Sequence, residues 1–274
     1  MKLDSVKLER LYKEWNRRER VSPDPVEFLY GYDDPADREI AGLIASCLAY
    51  GRVAHIVRSV GEVLDRTDKP ARFLRDGTLA EFRKTFVDFK HRFTTGEELA
   101  ALLTGIRKTV RSNGSLETSF LKGLATSDQT VRRAASAFVE RIAAAAGRRF
   151  GFLLPSPADG SACKRLNLFL KWMVRHDNVD PGGWDGVPAS KLIYPLDTHI
   201  FRIGRALGLT NRKQADGPSA LEVTEAFREI APDDPVRYDF ALMRLSIRAG
   251  DNLPAALADL VCSRRKHIVL GRTP

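Results

Sequence analysis

Apolar residues recur at helical spacing along almost the whole chain. Leu3, Val6, Leu11 and Trp15 mark one face of a first helix, and charged residues fill its other side. Ser22-Pro23-Asp24-Pro25 punctuates, and Asp33-Asp34-Pro35 supplies a second helix start. The stretch from Ala36 to Tyr50 is strongly apolar until Gly51 breaks it. A further helix is predicted from Val53 to Leu64, ending before Asp68-Lys69-Pro70. Helical patterns continue through Glu97 to Ser112, Ser115 to Ala125 and Thr130 to Ala146. No alternating β run and no internal repeat stands out, so the expected class is all-α.

Residues 150–163 carry prolines and glycines and read as a connector. The segment from Lys164 to about Arg175 is apolar on most sides, which predicts a central helix. A polar insertion follows, His176 to Ser190, containing Gly182-Gly183 and Trp184. Asp197 then starts a helix whose Ile200, Ile203, Gly204 and Leu207 share one face, and Gly208 ends it. Asp234-Pro235 reads as a cap followed by proline at the first helical position, opening a buried helix through Phe240, Leu242 and Leu245. The basic segment Ser263-Arg264-Arg265-Lys266-His267 reads as a loosely ordered tail.

Composition narrows the function classes. The chain has 274 residues, enough for one large domain or two lobes sharing an interface. Its 44 Lys and Arg against 35 Asp and Glu give a net charge of +9, which favours an anionic partner. The cations are dispersed, as suits a folded surface rather than an electrostatic tail. Cys47, Cys163 and Cys262 are too few and too scattered for a disulfide framework or a four-cysteine metal site, so neither metal nor other cofactor is expected. Met1 to Ser5 contains no apolar signal region, and no apolar run is long enough to span a bilayer. A reduced cytoplasmic setting is the expectation.

Asp197 and Lys164 are the candidate chemistry. Taken singly, each has an ordinary explanation. Asp197 can cap the helix it precedes, a role that stabilises by about 1 kcal/mol, and Lys164 can be a solvated charge at a helix start.

Their shared context is more specific. Asp197-Thr198-His199-Ile200-Phe201-Arg202-Ile203, with Arg205, Leu207 and Gly208, resembles the segment that carries the catalytic aspartate of helix–hairpin–helix DNA glycosylases. Upstream, Gly160-Ser161-Ala162-Cys163-Lys164-Arg165-Leu166-Asn167 is similar to that superfamily's hairpin followed by its nucleophilic lysine. Ala162 stands where the second hairpin glycine is usual, and the insertion at 176–190 lengthens the Lys-to-Asp spacing. Cys47 to Ile56 is similar to the junction where oxoguanine glycosylases fill the gap left by a flipped base. The whole chain also resembles an uncharacterised bacterial family in which this glycosylase-like core recurs.

The resemblance implies a two-lobed helical unit over 1–274. One lobe would span 36–178 and carry the hairpin-like segment; the other would join 1–30 to 190–274. It implies a DNA glycosylase with AP lyase activity on a flipped, oxidised purine, acting as a monomer on damaged or abasic double-stranded DNA at the nucleoid. Lys164 would be the nucleophile and Asp197 its carboxylate partner. Tyr50 and Arg52 would fill the gap, Gly160, Arg165, Lys171 and Arg202 would contact phosphates, and Trp184 would stack on the extruded base. Two alternatives stay open: a non-catalytic protein that binds DNA structure through a degenerate hairpin, and a helical protein-interaction scaffold.

Overall fold

The computed structural model describes residues 3–261; the basic segment 263–267 and Cys262 lie outside them. Among the described residues the fold is thirteen α-helices, short 3-10 turns and one small hairpin, so the class is all-α.

The helix starts follow the caps that the sequence offers. Asp4 accepts from the Val6 and Lys7 N–H groups and opens α1 (Ser5–Trp15). Asp34 does the same for Ala36, with Pro35 at the first position of α2 (Pro35–Leu48). Gly51, at φ +98°, turns the chain into α3 (Val53–Thr67). Three elements appear that the hydrophobic pattern does not announce: α4 (Pro70–Asp76), α5 (Leu79–Thr85) and a hairpin, β1 (Lys90–His91) paired antiparallel with β2 (Thr94–Thr95). Thr95 and Glu98 then form a reciprocal capping box for α6 (Gly96–Asn113). α7 (Leu116–Leu121) and α8 (Arg132–Ala146) complete this part of the chain, and α6 packs along α8.

α2 is the centre. Ile40, Ala41, Leu43, Ile44, Ala45, Cys47 and Leu48 are all buried, and the helix packs against α9 (Lys164–Val174). α9 is itself enclosed on most sides, as its continuous apolar stretch predicts. The remaining helices are α10 (Thr198–Ala206), α11 (Gly217–Arg228), α12 (Asp239–Ala249) and α13 (Leu253–Ala258). α10 and α1 both pack on α12, and the Asp4 N–H donates to the Leu260 carbonyl at 2.9 Å. The chain's first helix therefore closes onto its last ones.

The 176–190 insertion sends Val179, Asp180, Trp184 and Val187 into the core. Asp180 is fully buried, and its carboxylate accepts from Lys171 at 2.9 Å and from Arg175. Arg175 also meets Asp177 at 2.8 Å and Asp234 at 2.9 Å. Because this guanidinium engages the Asp234 carboxylate, Asp234-Pro235 does not cap a helix, contrary to the sequence expectation. The chain turns through 235–238, and α12 begins at Asp239. Among the described residues no helix is long and apolar enough to cross a membrane.

Candidate active site

Lys164 and Asp197 line one cavity of about 1130 Å³. Its walls include the start of α9 with the turn before it, the start of α10, one face of α12, and the turns at 23–26 and 49–53.

The turn before Lys164 fixes its position. Gly160 adopts φ +79° and Cys163 φ +45°, a left-handed conformation uncommon for a residue with a side chain. Local bonds hold it there. Asn167 Nδ2 donates to the Ala162 carbonyl at 3.0 Å, the Cys163 N–H donates to Ser161 Oγ at 3.1 Å, and the Cys163 thiol reaches the Pro155 carbonyl at 3.4 Å. Burial pushes that thiol up to about 11, so Cys163 is no nucleophile at neutral pH. Half-buried Lys164 has no hydrogen bond or ion pair to any described residue. Its charge acts on Asp24 and Asp239 across the cavity, but no direct bond ties its amine, which leaves it open to a ligand.

Asp197 caps α10, its Oδ1 accepting from the Ile200 N–H at 2.8 Å. The predicted cap is therefore present, and the same carboxylate faces the cavity. His199 contacts Ser246 through Nδ1 at 3.1 Å, tying α10 to α12.

Sequence reasoning missed Asp239. This residue opens α12, is 6% exposed and lines the cavity. Burial pushes its carboxyl up to about 7; Lys171, at 3.7 Å, opposes the shift, while the negative charges of Asp197 and Asp180 add to it. A carboxyl titrating near neutrality can carry a proton into a reaction and take it back. Nothing local in Tyr238-Asp239-Phe240 signals this, because the shift comes from tertiary neighbours. Asp24, capping the 3-10 helix at Pro25–Gly31, lines the same cavity and is also pushed upward, again chiefly by burial.

Asp239 makes stability depend on pH. Its folded pKa lies above the ordinary 3.8, so its contribution is complete below about 3.8 and is lost as pH rises through about 7. Asp239→Asn resembles the protonated form and removes that slope. Between pH 4 and 8 the variant should gain stability relative to wild type as pH rises, measured as the difference in urea midpoints across the series (range from about 4 to 8, set by the linkage relation).

The other expected site residues divide. Tyr50 and Gly160 line the cavity, but both are engaged internally. The Tyr50 hydroxyl donates to the His91 carbonyl at 2.6 Å and lies 2.7 Å from Thr94 Oγ1, so it is not free to leave the protein. The Gly160 N–H donates to Pro157 at 3.2 Å and its carbonyl accepts from Gly217 at 2.9 Å, so that N–H is not offered to a phosphate. Arg165 is buried, donating to the carbonyls of Cys47 and Phe152, with its guanidinium over the Tyr50 and Phe152 rings. Lys171 is 2% exposed and paired with Asp180. Burial acts against its charge, but the carboxylates of Asp180 and Asp239 outweigh that and raise its pKa. Both cations line the cavity, yet each is committed to partners inside the protein, which the expected phosphate contacts did not foresee. Arg52 and Arg202 are exposed and lie off the cavity wall.

Trp184 is not a base platform. It is 2% exposed, packs against Phe120, Phe138 and Phe169, and donates through Nε1 to Glu39 at 3.0 Å. Glu39 holds the first N–H groups of α7 with the same carboxylate. Among the described residues no group of three or more His, Cys, Asp or Glu is arranged to hold a metal ion.

No curated protein and no solved structure matches the chain. A family model described as protein of unknown function, DUF2400, matches residues 24–248, a span that runs from the Asp24 wall of the cavity past its last lining residue, Ile247. With most of its length and nearly all of the cavity inside that match, the chain belongs to the DUF2400 family.

Proposed function

We propose that the chain is a DNA base-excision glycosylase with AP lyase activity, acting on an extruded, oxidised purine nucleotide. The observation that carries this reading is the unpartnered Lys164 amine in one cavity with Asp197. The hairpin-like and Asp-Thr-His segments that resemble helix–hairpin–helix glycosylases support it, as does the net charge of +9. The lone pair of the Lys164 amine attacks C1′ of the extruded nucleotide, and the base departs with the electrons of the glycosidic bond. Asp239 supplies the proton that the departing base takes up. Asp197 balances the positive charge that develops on the sugar. Transfer of the amine proton to O4′ breaks the C1′–O4′ bond and leaves a Schiff base, and removal of a C2′ proton then expels the 3′ phosphate by β-elimination.

Borohydride trapping tests the reaction. Duplexes carrying oxidised purines or an abasic site should yield a covalent protein–DNA adduct with wild type, and Lys164→Met should yield none. No adduct and no base release by wild type across that panel overturns the proposal.

A second reading, a non-catalytic protein that binds DNA structure, is favoured by one observation: the Gly160 N–H is occupied by Pro157. It predicts salt-dependent DNA binding that survives Asp197→Asn, with no base released by either protein.

A further inference from the structure

The hairpin between α5 and α6 places two residues at an exposed tip, Arg92 and Phe93. Phe93 is 68% exposed, and its ring meets Phe152, itself 52% exposed, edge-to-face at 5.6 Å. Phe152 meets Tyr50 at 4.8 Å, and Arg165 lies over both rings. The three inner members of this ladder, Tyr50, Phe152 and Arg165, line the cavity. An unbroken aromatic path therefore runs from the hairpin tip to the cavity mouth.

The base of the hairpin is tied down by hydrogen bonds, while its tip is exposed. The Tyr50 hydroxyl bonds the hairpin at His91 and Thr94, and the His91 ring meets Ser59 at 2.9 Å. Arg92 adopts φ +53°, where a two-residue hairpin loop favours glycine or asparagine, so an ordinary side chain is held there at a conformational cost. Its stem lies across Gly51, within 2.9 Å of where a Cβ would sit, and its guanidinium is 5.4 Å from the Phe93 ring. No acidic residue occurs from Tyr50 to Val60 or from Lys90 to Thr95, segments that carry Arg52, Arg58, Lys90 and Arg92.

We propose that the Arg92–Phe93 tip, backed by Phe152, is a nucleobase-stacking platform that seats the bases beside the extruded nucleotide. The inference rests on the DNA reading above. Exposed aromatic faces among cations suit a polyanion with unpaired bases, because every base offers a π-face and every phosphate a negative charge. Intact duplex offers no such face, so the platform discriminates gapped from intact DNA. The resemblance gives gap filling to Tyr50 and Arg52, but the Tyr50 hydroxyl is committed to the hairpin.

Fluorescence anisotropy on two dye-labelled duplexes, one intact and one with a tetrahydrofuran abasic analogue, tests it. Phe93→Ala should weaken binding to the gapped duplex by roughly ten- to a hundred-fold, with binding to the intact duplex little changed. Phe93→Trp should retain the preference. Equal gapped-duplex affinity for Phe93→Ala and wild type overturns the platform, as does equal loss on both duplexes. If wild type is trapped through Lys164 while Phe93→Ala binds normally, the platform alone falls; if wild type binds neither duplex, the DNA reading falls with it.

Discussion

Asp180→Asn is expected to destabilise the protein by about 3–5 kcal/mol, the usual consequence of breaking a buried ion pair. Asp180 is fully buried and, among the described residues, is the one carboxylate shared by Lys171 and Arg175. Without it, Lys171 keeps only Asp239 at 3.7 Å, and Arg175 keeps Asp177 and Asp234. The loss is large because Lys171 is 2% exposed and water cannot replace the missing partner. For a chain of this size the melting temperature should fall by roughly 10 °C. The double variant Lys171→Met with Asp180→Leu should recover most of that loss, since apolar replacement of a buried pair is often neutral. Urea denaturation of both proteins measures the two effects; a single variant within about 1 kcal/mol of wild type would contradict the account.

That cluster also shows where reading the sequence stops. The helices were legible because burial repeats at their own period: α2 and α9 carry apolar residues on most sides and are central. The hairpin was not legible because each strand has two residues, too short for an alternating pattern. The 176–190 insertion looks polar in sequence, yet Asp180 and Trp184 are core residues. The Trp184 partner, Glu39, lies 145 positions away, so no local window contains both. Arg165 and Lys171 looked like surface cations for the same reason: their acceptors come from elsewhere in the fold. The motif residues fared differently. Lys164 and Asp197 could be placed at helix starts from sequence because the turn and cap that orient them are local. Asp239 was invisible because its altered titration comes from burial and from Asp197, Asp180 and Lys171.

Asp197→Asn is expected to separate the two roles of that carboxylate. Asparagine caps a helix about as well as aspartate, so the bond to the Ile200 N–H survives and stability should change by less than about 0.5 kcal/mol. The charge does not survive. If Asp197 balances developing positive charge beside Lys164, base release should fall by roughly 10²- to 10³-fold, the usual cost of removing one group that stabilises transition-state charge. Substrate affinity should change little, because ground-state binding relies on phosphates and stacked bases rather than on this carboxylate. The signature is therefore a fall in kcat with near-constant KM in an unchanged fold, measured by single-turnover base release alongside thermal unfolding. Asp197→Ala should lower the rate similarly and also lose about 1 kcal/mol of stability from the missing cap. If asparagine retained full activity, the carboxylate would be a cap alone, and the case for catalysis would rest on Lys164 and Asp239. The comparison is informative because one oxygen of Asp197 serves the helix while the group faces the cavity, so fold and chemistry can be read separately at a single residue.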